Sequence, residues 1–369
     1  MNFTFSEEQE MLRRSAREFL ADRFPIERVA EVADGEGFDP AGWSEAAELG
    51  WTSISVPETA GGAGMGFLEE MVVIEELGRA LYPGPFFSTV VLALPALVGV
   101  QDVLAGIVGG KQVATFAWAG TDGELDPSAL PASAGRQGEG WRLSGTLMFV
   151  PDLSLADLVV VAARTEDGPA LYLVERDGEG IDWKQTPTVD TTRSLGTLTF
   201  ENAPARLITG PPDARSLLER TRDRGLAALA AEAVGVAEHA LELAVGHAKE
   251  RRQFGRPIGV FQAVGHELAD GYVETENARS LAYWAGWAVA HGTDDAPEAA
   301  AAAKAYAAEA AVDMCERAIQ THGGIGFTWE HPLHRFYKRA LWIASFMGWP
   351  AAQRARVAEA LLGTQARGG

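Results

Sequence analysis

The chain has 369 residues, 47% of them hydrophobic, and carries a formal net charge of −20. This length exceeds a single ordinary domain, and the hydrophobic share is well above that of a disordered chain, so we expect a folded protein of roughly two or three domains. The negative charge excludes general attraction to nucleic acid or to anionic lipid, and any anionic ligand must therefore be bound locally.

The cysteine content and the first residues indicate a compartment. Cys315 is the single cysteine, which excludes an intrachain disulfide and a CxxC metal or redox pair and is typical of a reducing cytosol. The opening stretch, MNFTFSEEQEMLRRSAREFL, has acidic residues where an export signal has basic and apolar ones. We therefore expect a cytoplasmic protein.

The N-terminal region, 1–110, has the pattern of a helical domain. Ser6 followed by Gln9 is a capping-box signature, and apolar residues then recur at helical spacing. The stretches GWSEAAELGW and FLEEMVVIEELGRAL predict two further helices.

The stretch 80–101 carries no charge over about the length of a membrane span. Pro83, Pro85 and Pro95 interrupt it, and proline disrupts a continuous helix. The stretch therefore predicts a pair of buried core helices, with no membrane contact.

The remaining two regions differ in period. In 111–215, short β-rich pieces (QVATFAW, GWRLSGTLMFV, ADLVVVAAR, ALYLVER and LGTLTFENAP) follow one another without intervening helices, which predicts a small antiparallel β domain. In 216–369, helical spacing returns in four long pieces, broken at 253–260, 292–297 and 323–329, which predict an up-down four-helix bundle. The predicted fold class is mainly α with a central β domain.

Four motifs occur along the chain: SEEQEMLRRSAREFL, VPETAGGAGMGFLEEMVVIEELGRA, ERRQFGRPIGVFQAVGHELAD and QTHGGIGFTWEHPLHRFYKRA. In their order and spacing they resemble the acyl-CoA dehydrogenases along essentially the whole chain. The resemblance implies the acyl-CoA dehydrogenase fold, FAD as the cofactor and α,β-desaturation of an acyl-CoA thioester. It also implies an electron-transfer flavoprotein as the electron acceptor.

The motif RRQFGRPIGVFQ concentrates arginines at the end of a predicted helix. A guanidinium offers forked, charged donors that suit a diphosphate, although arginines also complement the negative end of a helix. In the family, residues at this place bind the pyrophosphate and adenine end of FAD that belongs to an adjacent subunit. The match implies this role for Arg251, Gln253, Phe254 and Gln262.

The motif QTHGGIGF is the second FAD signal. Glycine lets a ligand approach the backbone closely, although a lone Gly-Gly-x-Gly is also common in plain loops. In the family this turn contacts the same FAD of the neighbouring subunit. The match implies that role for Gln320, Gly323, Gly324 and Gly326, and the two motifs together favour the cofactor over the plain alternatives.

The family needs a carboxylate to remove the α-proton of the thioester. In many members it is a Glu after the glycine motif, and counting forward from GGIGF leads to Met347; in others it stands at the start of the bundle, and counting back from Arg251 leads to Gly225. Neither residue can take a proton. Asp223 and Glu232 lie near the second place but are weak candidates, because carboxylates at such helix positions are mostly solvated.

Other positions that serve a chain's own cleft are also changed. Val150 and Pro151 stand where a hydroxyl residue is expected beside the flavin, and Trp349 and Ala351 replace the family's Thr and Gln. The positions that reach into a neighbour's cleft remain. This asymmetry predicts the FAD-contacting partner subunit of an α2β2 heterotetramer whose other subunit supplies the catalytic Glu.

Two alternatives stay open: an active homo-oligomeric dehydrogenase that uses an unrecognised base, and a non-enzymatic acyl-CoA or flavin binder on the same fold. A metal site is not expected at His322, His331 and His334, because no carboxylate or thiol stands at a complementary spacing. The acyl chain and the partner stay unidentified, because the walls of the substrate cavity come from several helices.

Overall fold

The computed structural model describes residues 5–121, 123 and 125–363. Within them the α-helices are α1 (Glu7–Arg23), α2 (Ile26–Asp34), α3 (Pro40–Glu48), α4 (Phe67–Arg79), α5 (Leu94–Leu97), α6 (Gln101–Val108), α7 (Asp213–Glu250), α8 (Gln262–His291), α9 (Ala296–His322), α10 (Leu333–Ser345) and α11 (Pro350–Leu362). The strands are β1 (Ala114–Ala117), β2 (Ser133–Gln137), β3 (Gly140–Pro151), β4 (Leu158–Thr165), β5 (Gly168–Glu175), β6 (Ile181–Thr186), β7 (Leu195–Thr209), β8 (Arg252–Gln253) and β9 (Arg256–Pro257).

The chain packs as two compact units. The first holds the described residues of 1–31, 67–82 and 226–369, and the second holds those of 32–66 and 83–225. In the first unit α1 packs on α4, α4 on α8, and α9 on α8, α10 and α11. This unit is therefore almost wholly helical.

The first helix begins where its capping signal predicts. The backbone N–H of Gln9 donates to Ser6 Oγ at 3.1 Å, and the backbone N–H of Ser6 donates to Gln9 Oε1 at 3.0 Å. Each side chain thus satisfies a backbone donor that the first helical turn leaves unpaired. The capping-box prediction is confirmed.

Two glycines let α4 and α7 approach closely inside the first unit. A Cβ added to Gly78 would lie 2.2 Å from Glu232 O, and one added to Gly235 would lie 1.9 Å from Glu75 O. Any side chain at either position would collide with the backbone of the facing helix. The glycine pair therefore sets the distance between these helices.

The second unit contains a seven-stranded sheet in the order β1-β4-β2-β3-β7-β5, with β6 paired to β7. An additional pairing of β4 with β5 closes five of the strands into a ring. The prediction of an antiparallel β domain is wrong for two pairs: β2 meets β4 in parallel at one residue pair, and β1 runs parallel to β4. The β2–β3 hairpin stands between these two strands in the chain and supplies the long connection that parallel pairing requires.

Buried apolar side chains of the strands form one hydrophobic core in the second unit, and they include Leu147, Val161 and Phe200. The sequence pattern missed β2 and β6, whose residues, SAGRQ and IDWKQT, are mostly polar and partly exposed. Both strands are held by pairing with neighbours rather than by their own hydrophobic pattern.

The uncharged stretch of 80–101 lies in the protein interior. A π-helical segment, Phe87–Ala93, continues directly into α5, and Pro95 stands in the first turn, where a missing N–H costs little. Thr89 Oγ1 donates to Ala114 O at 2.7 Å and ties this segment to β1. Among the described residues, no helix has both the length and the apolar character that a membrane crossing requires.

The last of the four predicted long helices is in fact two helices. The chain leaves α10 at Phe346, passes through Met347 and Gly348 with φ of 58° and 94°, and starts α11 at Pro350. Positive φ ends an α-helix, and the residue before a proline avoids helical geometry. The break falls at the position where the family's base is expected.

Candidate functional site

The arginine motif forms a tight hairpin at the end of α7. The backbone N–H of Arg251 donates to His247 O at 2.8 Å, and the short strands β8 and β9 then pair across two residues. These two residues, Phe254 and Gly255, have φ of 52° and 80°. Positive φ at both central residues is the geometry of a type I′ turn, which glycine adopts readily and phenylalanine only under constraint.

The hairpin presents its side chains to solvent. Arg251, Gln253 and Phe254 are exposed, and the phenylalanine ring is 90% exposed. Four cations cluster here: Lys249, Arg251, Arg252 and Arg256. None of the four forms an ion pair with a carboxylate of the described residues, whereas arginines elsewhere in the same unit, such as Arg17 and Arg317, do.

The glycine motif directly follows α9, and the structural requirement for glycine differs among its three positions. Gly323 has φ 66° and ψ −139°, a conformation that only glycine adopts without strain. A Cβ added to Gly326 would lie 2.7 Å from Ile319 O, so packing within the chain excludes a side chain. A Cβ added to Gly324 would meet nothing within 4 Å. Nothing within the described part of the chain requires glycine at Gly324, which is consistent with an external group that approaches it.

The structure brings the two motifs together at one end of the bundle. The rings of His247 and His322 lie 4.3 Å apart, as do those of His322 and His331. A cavity of about 380 Å³ is lined by these three rings together with Glu250 and Ile325. Gln262 and Gln320, two further residues predicted to contact FAD, are exposed.

Two histidines of this cluster, His247 and His331, are disfavoured in their charged form. Burial, and next the neighbouring His322, lower the pKa of both His247 and His331. The described residues hold no group of three or more His, Cys, Asp or Glu side chains that is arranged to bind a metal ion.

Large apolar side chains at the same end are exposed to solvent. Ile325, Phe327 and Trp329 are 52%, 75% and 75% exposed, and Phe254 belongs to the same end of the bundle. Several large apolar side chains exposed within one short loop are typical of an interaction surface. The sequence reading did not single out Phe327 and Trp329, because only their exposure in the folded chain distinguishes them from core residues.

The loop at 346–349, by contrast, is satisfied from within. Met347 is 5% exposed, and Gln353 Nε2 donates to its carbonyl oxygen at 2.8 Å. The ammonium of Lys304, which is fully buried, donates to Ala344 O at 2.7 Å and to Gly348 O. Burial lowers the pKa of Lys304 to about 7. No carboxylate belongs to this loop.

The two weak candidates for the base are not solvated, and on this point the sequence reading was wrong. Glu232 is 1% exposed and forms a buried ion pair with Arg339 of α10, while Asp223 is 6% exposed and accepts from Arg222 Nε at 2.9 Å. Helical packing, which the local sequence does not reveal, buries both carboxylates. A carboxylate that is held by a guanidinium is poorly placed to accept a substrate proton. Gly225, the other usual base position, lies within α7.

In the second unit, the backbone at the end of β3 is paired with other parts of the same sheet. Val150 pairs with Gly196 and Pro151 with Leu195, while Thr115 Oγ1 donates to Pro151 O. Pro151 has no N–H to offer. The described strand therefore lacks both the hydroxyl and the backbone donor that a flavin ring would use at this position.

Two stretches of the chain match known domains of a single family. Residues 216–362 match the acyl-CoA dehydrogenase C-terminal domain, and residues 6–99 match the N-terminal domain. The chain belongs to the acyl-CoA dehydrogenase family. Members of this family are oxidoreductases that act on CH–CH bonds.

Several members of the acyl-CoA dehydrogenase family are similar to this chain over nearly their whole length. Acyl-CoA dehydrogenase IpdE2 of Mycolicibacterium smegmatis is 31% identical over 95% of this chain and 98% of its own length. A solved structure described as a Tcur3481-Tcur3483 steroid ACAD variant is 36% identical, with a TM-score of 0.88 over 96% of this chain and 98% of that one. The ChsE4-ChsE5 complex from Mycobacterium tuberculosis contains a chain that is 31% identical, with a TM-score of 0.89 over 99% of this chain and 100% of that one.

Proposed function

We propose that this chain is the FAD-contacting partner subunit of an α2β2 heterotetrameric acyl-CoA dehydrogenase, whose other subunit supplies the catalytic Glu. The observation that carries the proposal is an asymmetry within one chain. The end of the bundle that would reach a neighbour exposes cations, aromatic rings and an open glycine, whereas the position where its own base would stand holds a buried methionine, Met347.

The exposed end has the properties that the diphosphate of FAD needs. Arg251 offers a charged fork that no described carboxylate occupies, and Gly324 leaves room for close approach to the backbone. Gln253, Gln262 and Gln320 add amide donors on the same exposed end. When bound, FAD supplies the acceptor for the hydride that leaves the β-carbon of the thioester.

The relatives support a heteromeric assembly. Two of the similar solved structures are each named for a pair of proteins, Tcur3481-Tcur3483 and ChsE4-ChsE5. Another similar structure, 29% identical with a TM-score of 0.91, comes from work on the electron-transferring flavoprotein of Acidaminococcus fermentans, which supports such a flavoprotein as the electron acceptor. We place the protein in the cytoplasm on the basis of its sequence.

The first test is a visible absorption spectrum of the chain purified alone and after co-expression with a candidate catalytic subunit that carries the Glu. We expect a colourless chain and a yellow complex with about one FAD per pair of subunits. A lone chain that is yellow and bleaches when given acyl-CoA would contradict the proposal. That result would support a homo-oligomer with a base of its own.

The role of Arg251 can be tested in the same complex. A hydrogen bond to a charged group contributes about 1.5–3 kcal/mol, so Arg251→Ala should weaken FAD binding by roughly 10- to 100-fold. The measurement is FAD retained per complex after gel filtration. The matched control is Arg354→Ala, which removes an exposed arginine of the same unit that is already paired with Glu309. Equal FAD retention in both variants would remove Arg251 from the site.

A further inference from the structure

A second feature lies beside the hairpin, on the first unit. It is a cavity of about 560 Å³, which we call the apolar groove, formed between α7, α8 and the residues that join them. Its lining residues are Leu241, Val245, Ala248, Lys249, Pro257, Gly259, Val260, Gly265, Leu268, Ala269 and Tyr272.

The groove has the form of a helix-binding groove. On α7 the lining residues Leu241, Val245 and Ala248 recur at helical spacing, and α8 contributes a parallel stripe at 265, 268, 269 and 272. The small residues of the two stripes, Ala248, Gly265 and Ala269, leave open space between the helices. Val260 and Tyr272, at 56% and 57% exposed, show that this apolar surface is open to solvent.

The lining argues for a protein segment over a small ligand. Small-molecule sites orient their ligand with a few converging polar groups. Here the only polar side chains are those of Lys249 and Tyr272, at opposite walls of the groove. An amphipathic helix, by contrast, needs only an apolar seat with a suitable charge at its edge.

The charge at the edge is positive. Lys249 lines the groove, and Arg252 and Arg256 lie in the hairpin that leads into Pro257. Within the described residues these three cations have no carboxylate partner, in a chain with 51 acidic and 31 basic residues. A partner segment that carries carboxylates would complement these three cations.

We propose that the apolar groove binds an amphipathic helix of the catalytic partner subunit, whose apolar face fills the groove and whose carboxylates meet Lys249, Arg252 and Arg256. This inference rests on the proposed function, since it concerns the same partner. It adds a contact that is separate from the FAD site. The groove is continuous with the hairpin that carries Arg251, so one neighbour can occupy both.

The test uses the complete chain and the catalytic subunit that gives the yellow complex. Ala269→Trp fills the groove from an exposed position on α8, and Ala290→Trp makes the same change at an exposed residue near the other end of that helix, far from the groove. Central apolar contacts dominate interface energies, so Ala269→Trp should weaken association at least about tenfold, while Ala290→Trp should not. Sedimentation velocity measures both, and circular dichroism checks folding.

The charge at the edge is tested separately. Lys249→Glu should weaken association and flatten its dependence on salt, because screening acts on exposed charge pairs. If association of the wild-type chain does not change between low and high salt, the acidic helix is excluded.

The outcomes separate this inference from the proposed function. If Ala269→Trp binds the catalytic subunit as tightly as the wild type does, the groove proposal is wrong and the partner-subunit proposal stands. If the wild-type chain binds no catalytic subunit, both are wrong. If Ala269→Trp disrupts only self-association of the lone chain, a second copy occupies the groove and the proposed occupant is wrong.

Discussion

Two regions of the first unit differ in whether their polar groups are exposed or hydrogen-bonded within the chain. The neighbour-facing end, residues 249–257 and 320–329, leaves four cations without a described carboxylate partner and exposes Phe254, Phe327 and Trp329. The inner loop, 346–349, is bonded by Lys304 and Gln353 and keeps Met347 buried. Buried polar groups need hydrogen-bond partners within the chain, whereas exposed ones are hydrated and remain available to another molecule. The difference indicates which region can bind a ligand or a partner and which region is already fully bonded.

The buried ion pair should give the largest effect and sharpen the comparison. Arg339→Met leaves the buried carboxylate of Glu232 without its guanidinium and should lower the free energy of unfolding by about 3–5 kcal/mol. Arg251→Met, the same change at the exposed end, should alter it by less than about 0.5 kcal/mol. Urea unfolding measures both variants.

A control separates the loss of the pair from the loss of packing. The double variant Glu232→Gln/Arg339→Met removes the stranded charge and should recover part of the lost free energy of unfolding. A Glu232→Gln variant that keeps its stability but abolishes turnover would break the comparison. It would make Glu232 a base and support a homo-oligomeric dehydrogenase.

Two glycines of one turn offer a matched test of intermediate size. Gly326→Ala forces a shift away from Ile319 O and should lower the free energy of unfolding by roughly 1–3 kcal/mol. Gly324→Ala meets no atom of the chain and should leave stability unchanged, or slightly raised, but should lower the FAD content of the complex. Thermal unfolding and the ratio of flavin to protein absorbance report the two effects. Full FAD content in the Gly324→Ala complex would show that nothing approaches this glycine.

The last prediction concerns pH and the inner loop. The pKa of Lys304 is lowered to about 7 by burial, so between about pH 7 and its ordinary pKa the unfolded chain binds a proton that the folded chain does not. The free energy of unfolding should therefore rise with pH across this window. Lys304→Met removes the titrating group, and its urea midpoint should rise less between pH 7.5 and 9.5 than that of the wild type. Parallel pH profiles would show that the amine stays charged in the fold.

The elements and the motifs were predictable because they depend on neighbours in the chain. The capping box of Ser6 and Gln9, the helical spacing around α7 to α9 and the positions of β3, β4, β5 and β7 are local patterns, and the structure confirms them. The parallel pairing of β1 with β4 was not predictable, since strand direction depends on segments far apart in the chain. The strands β2 and β6 were missed because their residues are mostly polar and show no alternating apolar pattern.

The sequence by itself determined which residues are present: a methionine where a base is expected, an arginine beside a Phe-Gly turn, and more acid than base overall. Only the tertiary structure decided which of them are available. It buried Glu232 against Arg339, left Arg251 in solvent, and showed that Gly324, unlike Gly326, is not required by the chain's own packing. Burial and pairing are sums over contacts between distant segments, and no local pattern records them.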